Sequence, residues 1–408
     1  MADDAGTGRH VLVLNDALLN DVEAAREAVR ALTGARTVVS TRDAVGGALT
    51  AEQLRTAEAV LFADLGVAVV AGADGDIGIR DVADLVDERI VAVEPERRLH
   101  AIAEPVTLQQ DGPFADTGEA TWGLQATGVA TATASGGGVT VAVLDTGLDA
   151  GHPDFAGREV EARSFVDGQA AQDGQGHGTH CTGTATGPLA PEAGPRYGVA
   201  HGARVLVGKV LSDEGTGTDA DILAGISWAV AAGASVISMS LGADQREVST
   251  AYETVGRRAL AAGTLIIAAA GNNARRSAGD PGFVGVPANS PSIMAIGALD
   301  RTLAVADFSA SATAVDGGEI DIAAPGVEVY SSWPMPQRYQ TISGTSMATP
   351  HVAGIAALWS EITGARGRAL WDAVIAGARP LPLPAEDVGA GDHGVPQGPA
   401  ARAGDLGP

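Results

Sequence analysis

Residues 139–155 read VTVAVLDTGLDAGHPDF. The run Val139–Leu144 is apolar and β-branched, and it stops at Asp145 and the turn-forming pair Thr146–Gly147. A strand with apolar residues on both faces belongs inside a parallel sheet. A carboxylate at its carboxyl end then stands where open α/β sheets hold their ligands. Alone, D-T-G decides little. An aspartate opening a turn is the ordinary reading, and aspartic proteases carry the same tripeptide in an all-β setting.

Downstream of this strand the chain alternates. Val205–Val210, Val236–Met239 and Leu265–Ala269 read as buried strands, and Asp219–Ala232, Ser249–Ala262 and Thr345–Ile362 as helices. That order predicts an α/β domain of three layers around a central, mostly parallel sheet. Upstream lies a smaller α+β unit. His10–Asn15, Ala59–Phe62, Val67–Ala71 and Arg89–Val93 read as strands. Val22, Ala25, Val29 and Leu32 mark one helix within Asp21–Leu32, and Val82, Leu85 and Val86 a second. A β-α-β-β-α-β, ferredoxin-like order with antiparallel strands fits. Thr37–Ala51 is an insertion without a place in it. Residues 103–120, with Pro105, Gly112, Pro113 and Gly118, have linker composition. The expected division is therefore 1–102, a linker 103–120, a main domain 121–401 and a tail 402–408.

The whole chain has 408 residues, 45% of them hydrophobic, which supports one large domain and one small. Lys+Arg 26 against Asp+Glu 50 gives a formal charge of −24, the opposite of a nucleic-acid-binding groove. Lys209 is the single lysine and Cys181 the single cysteine, so no intrachain disulfide forms. No run approaches the ~18 apolar residues of a membrane span. The acidic, polar stretch Met1–His10 lacks a secretory pattern. A cytoplasmic, monomeric protein is the expectation, with secretion after loss of a signal as the competing reading.

Two further segments carry chemistry. In GQGHGTHCTGT (174–184), glycines flank His177, whose ordinary pKa near neutrality suits a general base. His180, three residues on, leaves a metal pair as the other reading. In SGTSMATPHVAG (343–354), Ser346 opens an apolar helix, and the small residues before it allow a carbonyl to approach its hydroxyl. Asp145, His177 and Ser346 supply orienting acid, base and nucleophile.

LDTG, HGTHC and SGTSMATPHVAG, in that order, resemble the subtilisin-like serine proteases, and especially their proteinase K branch. The resemblance runs from about Trp122 to Ala401 and implies a serine endopeptidase working through an acyl-enzyme. It implies that Asn272 in LIIAAAGNN (265–273) donates to the oxyanion, and that Ser346 adds its backbone N–H. Ser240, Leu241 and Gly242, with Gly215, Thr216 and Gly217 opposite, would pair with an extended protein or peptide substrate. Ala269, Ala270, Gly271 and Gly285 would line a pocket for a large apolar side chain before the cut bond. No cofactor is implied for catalysis. Pro291, Ile293 and Asp321 match a structural Ca²⁺ site. A second, Asn-rich calcium loop of the family is replaced here by GPLAPEAGPRYG (187–198), although Asp154 remains. VAVEPERRLHAI (91–102) resembles the end of the family's inhibitory propeptide, placing a self-cleavage site near Ile102–Ala103. Cys181 would be a small buried hydrophobe, and His201 structural. Two competing readings are a catalytically silent subtilisin fold acting as a binding module, and a sedolisin-type peptidase. The latter also uses SGTS but has Glu where HGTH stands.

Overall fold

The computed structural model describes residues 7–71, 88–103, 112–314 and 317–389. Seven strands form the central sheet: β7 (Thr140–Asp145), β8 (Val160–Ser164), β9 (Arg204–Lys209), β11 (Val236–Met239), β13 (Leu265–Ala269), β14 (Met294–Leu299) and β15 (Ile322–Pro325). Their order is β15-β14-β13-β11-β7-β9-β8, and every adjacent pair is parallel. All of β7 after Thr140 is buried, as a strand covered on both faces must be. Helices Thr345–Thr363 and Gly367–Gly377 close one core with β11, β13, β14 and β15; Asp219–Ala231 and Thr250–Ala261 close another. The result is the expected three-layer α/β domain. The carboxyl ends of neighbouring β7, β11 and β13 bring Asp145, Ser240 and the Ala270–Asn272 turn to one edge.

The N-terminal unit is a five-stranded sheet in the order β2-β3-β4-β1-β5, from β1 (Arg9–Leu14), β2 (Val38–Ser40), β3 (Ala59–Phe62), β4 (Val67–Ala71) and β5 (Ile90–Pro95). The expected strands appear and pair antiparallel. The insertion 37–51 now has a place: β2 adds to the edge, parallel to β3. The second expected helix, at Val82–Val86, falls outside the described residues, as do residues 390–408 with the expected tail. The helix Val22–Thr33 covers one face of the sheet. The other face, with Val11, Val13, Val60, Phe62, Val67 and Val69, shares one buried cluster with Leu223, Ile226, Tyr252 and Val255 of the main domain.

Two glutamates fix this docking. Glu96 chelates Arg9 at 2.7 Å through both oxygens and accepts the Ala220 N–H at 3.1 Å. Glu94 accepts the Thr250 N–H at 2.6 Å and the Ser249 hydroxyl at 2.6 Å. Each carboxylate thus meets unpaired amides at the positive end of a helix. After Glu96 the chain runs as β6 (Arg98–Ala101) between β10 (Thr216–Thr218) and β12 (Leu241–Gly242), antiparallel to both.

Candidate active site

The helix His177–Thr186 packs against the turn after β7 so closely that a Cβ on Gly178 would lie 2.4 Å from the Gly147 carbonyl. That contact requires glycine and sets His177 beside Asp145. His177 Nδ1 lies 2.8 Å and 3.0 Å from the two Asp145 oxygens. Both side chains are buried. Burial disfavours the imidazolium, but the adjacent Asp145 carboxylate outweighs it and holds the His177 pKa well above its ordinary value. The other ring nitrogen, Nε2, has no hydrogen-bond partner among the described residues.

A polar frame that sequence reasoning missed lies beneath this pair. Asp173 accepts the Thr146 hydroxyl at 2.9 Å, the Gly176 N–H at 2.8 Å, and both the N–H and hydroxyl of Thr179. Thr146 in turn accepts the Gly178 N–H at 2.8 Å. The fully buried Lys209 donates to the Thr146 carbonyl at 2.6 Å and to Asp213 at 2.7 Å. The turn holding Asp145 and the helix holding His177 are thereby tied into one piece.

Ser346 occupies the first turn of the helix Thr345–Thr363. Pro350 has no N–H, so the Ser346 carbonyl lacks its i+4 partner. It accepts the Ser240 hydroxyl at 2.8 Å instead, and Cys181 Sγ lies 3.6 Å from it. The Ser346 hydroxyl donates to the Ser240 carbonyl at 3.0 Å. Cys181 also stands 3.8 Å from His177 Nδ1, so the thiol touches both halves of the site. It is fully buried, and burial pushes its pKa up.

Asn272 follows β13. Its Oδ1 accepts the N–H and hydroxyl of Thr345 at 3.0 and 2.9 Å, while its Nδ2 is buried without a partner among the described residues. An unpaired buried donor costs about 1–3 kcal/mol. Thr345 fixes the amide, and this donor lies beside Gly344. Gly344 (φ +154°) leaves the necessary space, since a Cβ there would sit 2.8 Å from the Ile102 carbonyl oxygen and 3.2 Å from Asn272 Nδ2.

Residues 215–217 and 240–242 stand on either side of β6. Thr216 pairs with His100, Gly217 with Leu99, and Gly242 with His100; Gly215 accepts the Ala101 N–H at 2.9 Å. The Ile102 side chain reaches Gly242, where an added Cβ would be 3.0 Å from its Cδ1. Ala269, Ala270 and Gly271 form the end of β13 and its turn, and Gly285 donates to the Ala270 carbonyl at 3.0 Å. Asn273 ties this wall together through Phe283 and Asp244.

Other sequence candidates resolve differently. His180 hydrogen-bonds the Val329 carbonyl at 3.0 Å, and burial lowers its pKa to about 3. Asp145, His177 and Cys181 bring donor atoms within 4.8 Å of one another, but the imidazole–carboxylate hydrogen bond and the protonated thiol leave a poor ligand set. The linker holds a second D-T-G at Asp116–Gly118, whose Asp116 accepts the Trp122 N–H at 2.7 Å and caps a helix. Asp154 is satisfied by protons: Tyr197 and Tyr339 hydroxyls at 2.6 and 3.1 Å and the Glu192 N–H at 2.7 Å. His201 lies 3.4 Å from Arg196, in a structural setting.

Pro291, Ile293 and Asp321 line one cavity of about 360 Å³, together with Ser290 and Glu319. The Ser290 hydroxyl is buried without a partner among the described residues. Burial pushes Asp321 up to about 7, against the pull of the Ala295 N–H. An oxygen-rich set with an under-satisfied hydroxyl and a desolvated carboxylate fits a hard cation such as calcium.

A profile of the subtilase family matches residues 136–391, which include Asp145, His177, Asn272 and Ser346. The chain belongs to that family. It is a subtilisin-like serine endopeptidase by descent, 41% identical over 230 residues to subtilisin DY of Bacillus licheniformis, across 55% of this chain and 77% of that protein. Subtilisin E of Bacillus subtilis (strain 168) is 42% identical over 226 residues, again across 55% of this chain but 56% of its own length. The alkaline serine protease ver112 of Corniculantispora psalliotae is 34% identical over 297 residues, 68% of this chain and 72% of that one. Among solved structures, a cold-adapted subtilisin-like serine proteinase aligns at a TM-score of 0.54 and 34% identity, covering 64% of this chain and 90% of that one. Among the described residues no helix is long and apolar enough to cross a membrane.

Proposed function

We propose that this subtilase cuts its own chain between Ile102 and Ala103, and that residues 1–102 then inhibit the remainder until released. One observation carries the reading. The strand Arg98–Ala101 lies between the two substrate edges, and the Ile102 carbonyl stands at Gly344, next to the unpaired Asn272 amide.

The proposed chemistry needs one side-chain rotation, at Ser346. Ser346 exchanges the Ser240 carbonyl for His177 Nε2 by a side-chain rotation, and the imidazole takes its proton during attack. Asp145 holds the Nδ1 tautomer and stabilises the imidazolium. The Asn272 amide and the Ser346 N–H receive the oxyanion, and water later releases the acyl group. Donors already aimed at a developing charge need no reorganisation, which is why an unpaired Nδ2 is worth its cost. Ile102 beside Gly242 supports an apolar preference before the cut bond, for protein or peptide substrates of broad sequence. A monomer, with a structural calcium ion held by Asp321 and the carbonyls of Pro291 and Ile293, completes the proposal.

The test is intact mass over time, in calcium, of the full chain and of Ser346→Ala. The wild type should lose residues 1–102 and begin at Ala103, and the variant should stay whole. If both remain full length, the N-terminal unit is a permanent domain and self-cleavage is wrong.

A further inference from the structure

Arg97, the residue before β6, is held by the main domain in a manner unlike the rest of the N-terminal unit. Its backbone N–H donates to Asp219 Oδ2 at 2.8 Å and its carbonyl accepts the Asp219 N–H at 3.2 Å, extending the ladder beyond the Thr218–Arg98 pair. Its guanidinium enters a crevice at the amino ends of two helices. Nη1 lies 3.5 Å from Asp219 Oδ2 and 3.4 Å from the Ser249 hydroxyl, Nε donates to Gln245 at 2.7 Å, and Nη2 returns to Glu94 at 2.8 Å. The second Asp219 oxygen accepts the Tyr252 hydroxyl at 2.8 Å. The Asp219 side chain is 1% exposed and that of Arg97 11%.

We propose that this crevice is a distant subsite of the substrate cleft, selecting a cationic side chain, arginine above all, at the sixth residue before the cut bond. The proposal rests on the reading that Ile102–Ala103 is the cleaved bond. Three of the crevice's four contacts to the guanidinium come from the main domain: Asp219, Gln245 and Ser249. They stay behind when residues 1–102 leave. Asp219 then keeps the Tyr252 hydroxyl but has lost its cation, and a substrate arginine would restore the pair. Burial raises the Asp219 pKa to about 6 even with Arg97 opposing it. Arg98 and His100, at intervening positions, are exposed, so the protein does not read them. Leu99 is fully buried, and the alternation is that of an extended strand.

The test uses processed enzyme and two N-acylated, internally quenched peptides of sequence 97–106 (RRLHAIAEPV), one with arginine and one with citrulline at the first position. Citrulline keeps the shape and removes the charge. The arginine peptide should show a kcat/KM about tenfold higher, the scale of one charge-assisted contact. The gain should lie in KM and shrink in high salt. Asp219→Asn should bring the arginine peptide down to the citrulline level; should that variant fold poorly, the two peptides on wild-type enzyme decide alone. Equal kcat/KM with both peptides cut after Ile102 overturns the subsite and leaves Arg97 as an anchor of the N-terminal unit. Cutting at another bond, or none, overturns the register and the subsite together.

Discussion

The catalytic cleft and the surface that carries the N-terminal unit are neighbours, yet they treat polar atoms in opposite ways. In the cleft, His177 Nε2 and Asn272 Nδ2 are buried and unpaired, while the groups behind them, Asp145, Thr345 and Asp173, are fully engaged. At the docking surface, Glu94, Glu96 and Arg97 have every charge matched. A region that must react keeps its working atoms free and fixes their supports. A region that must hold pairs the charges that anchor it.

The contrast can be broken from either side. Removing the base, by His177→Ala, should reduce kcat by about 10⁴-fold or more, the scale known for subtilisin triads. In the wild type Asp145 holds the ring's pKa up, and the protonated ring cannot accept a proton. So kcat/KM should fall with acid around a midpoint above 6.5, and Asp145→Asn should move that midpoint down as it slows the reaction. Asn272→Ala should lower kcat by about 10²–10³-fold with little change in KM, again the scale for a subtilisin oxyanion donor. On the holding side, Glu96→Ala removes the partner of Arg9 and of the Ala220 amide. It should weaken docking by about 2 kcal/mol, seen as earlier appearance of free activity during processing.

The smallest effect concerns the cavity at Asp321. A carboxyl group whose folded pKa is raised from the usual 3.8 to about 7 binds more protons folded than unfolded between those values. Stability without calcium therefore falls as pH rises through that window. Melting in a chelator should drop by about 3 °C more between pH 5 and pH 8 in the wild type than in Asp321→Asn. Calcium should restore the wild type at pH 8.

Much of the cleft was legible because its parts are local. LDTG, HGTHC and SGTS each place one reacting group at the start or end of an element, and buried runs such as Val236–Met239 and Leu265–Ala269 fixed the sheet that gathers them. The supports were less legible. Asp173 reaches Thr146 across 27 residues and Thr345 reaches Asn272 across 73, so neither pairing leaves a local pattern. Pro350 inside a helix reads as a defect until the Ser346 carbonyl it frees is seen bound to Ser240. The docking surface was the least legible. Arg97 and Asp219 lie 122 residues apart, and in a chain with 50 acidic residues nothing singles one out. The strand Val38–Ser40 was missed because three residues give no periodicity.

The central claim is that Ser346, and no other residue, is the nucleophile that Asp145 and His177 activate. The most direct measurement is labelling of the processed protein with a fluorophosphonate, followed by mass mapping of the adduct. One adduct, on Ser346, is expected. An unlabelled protein, or an adduct at another residue, would contradict it.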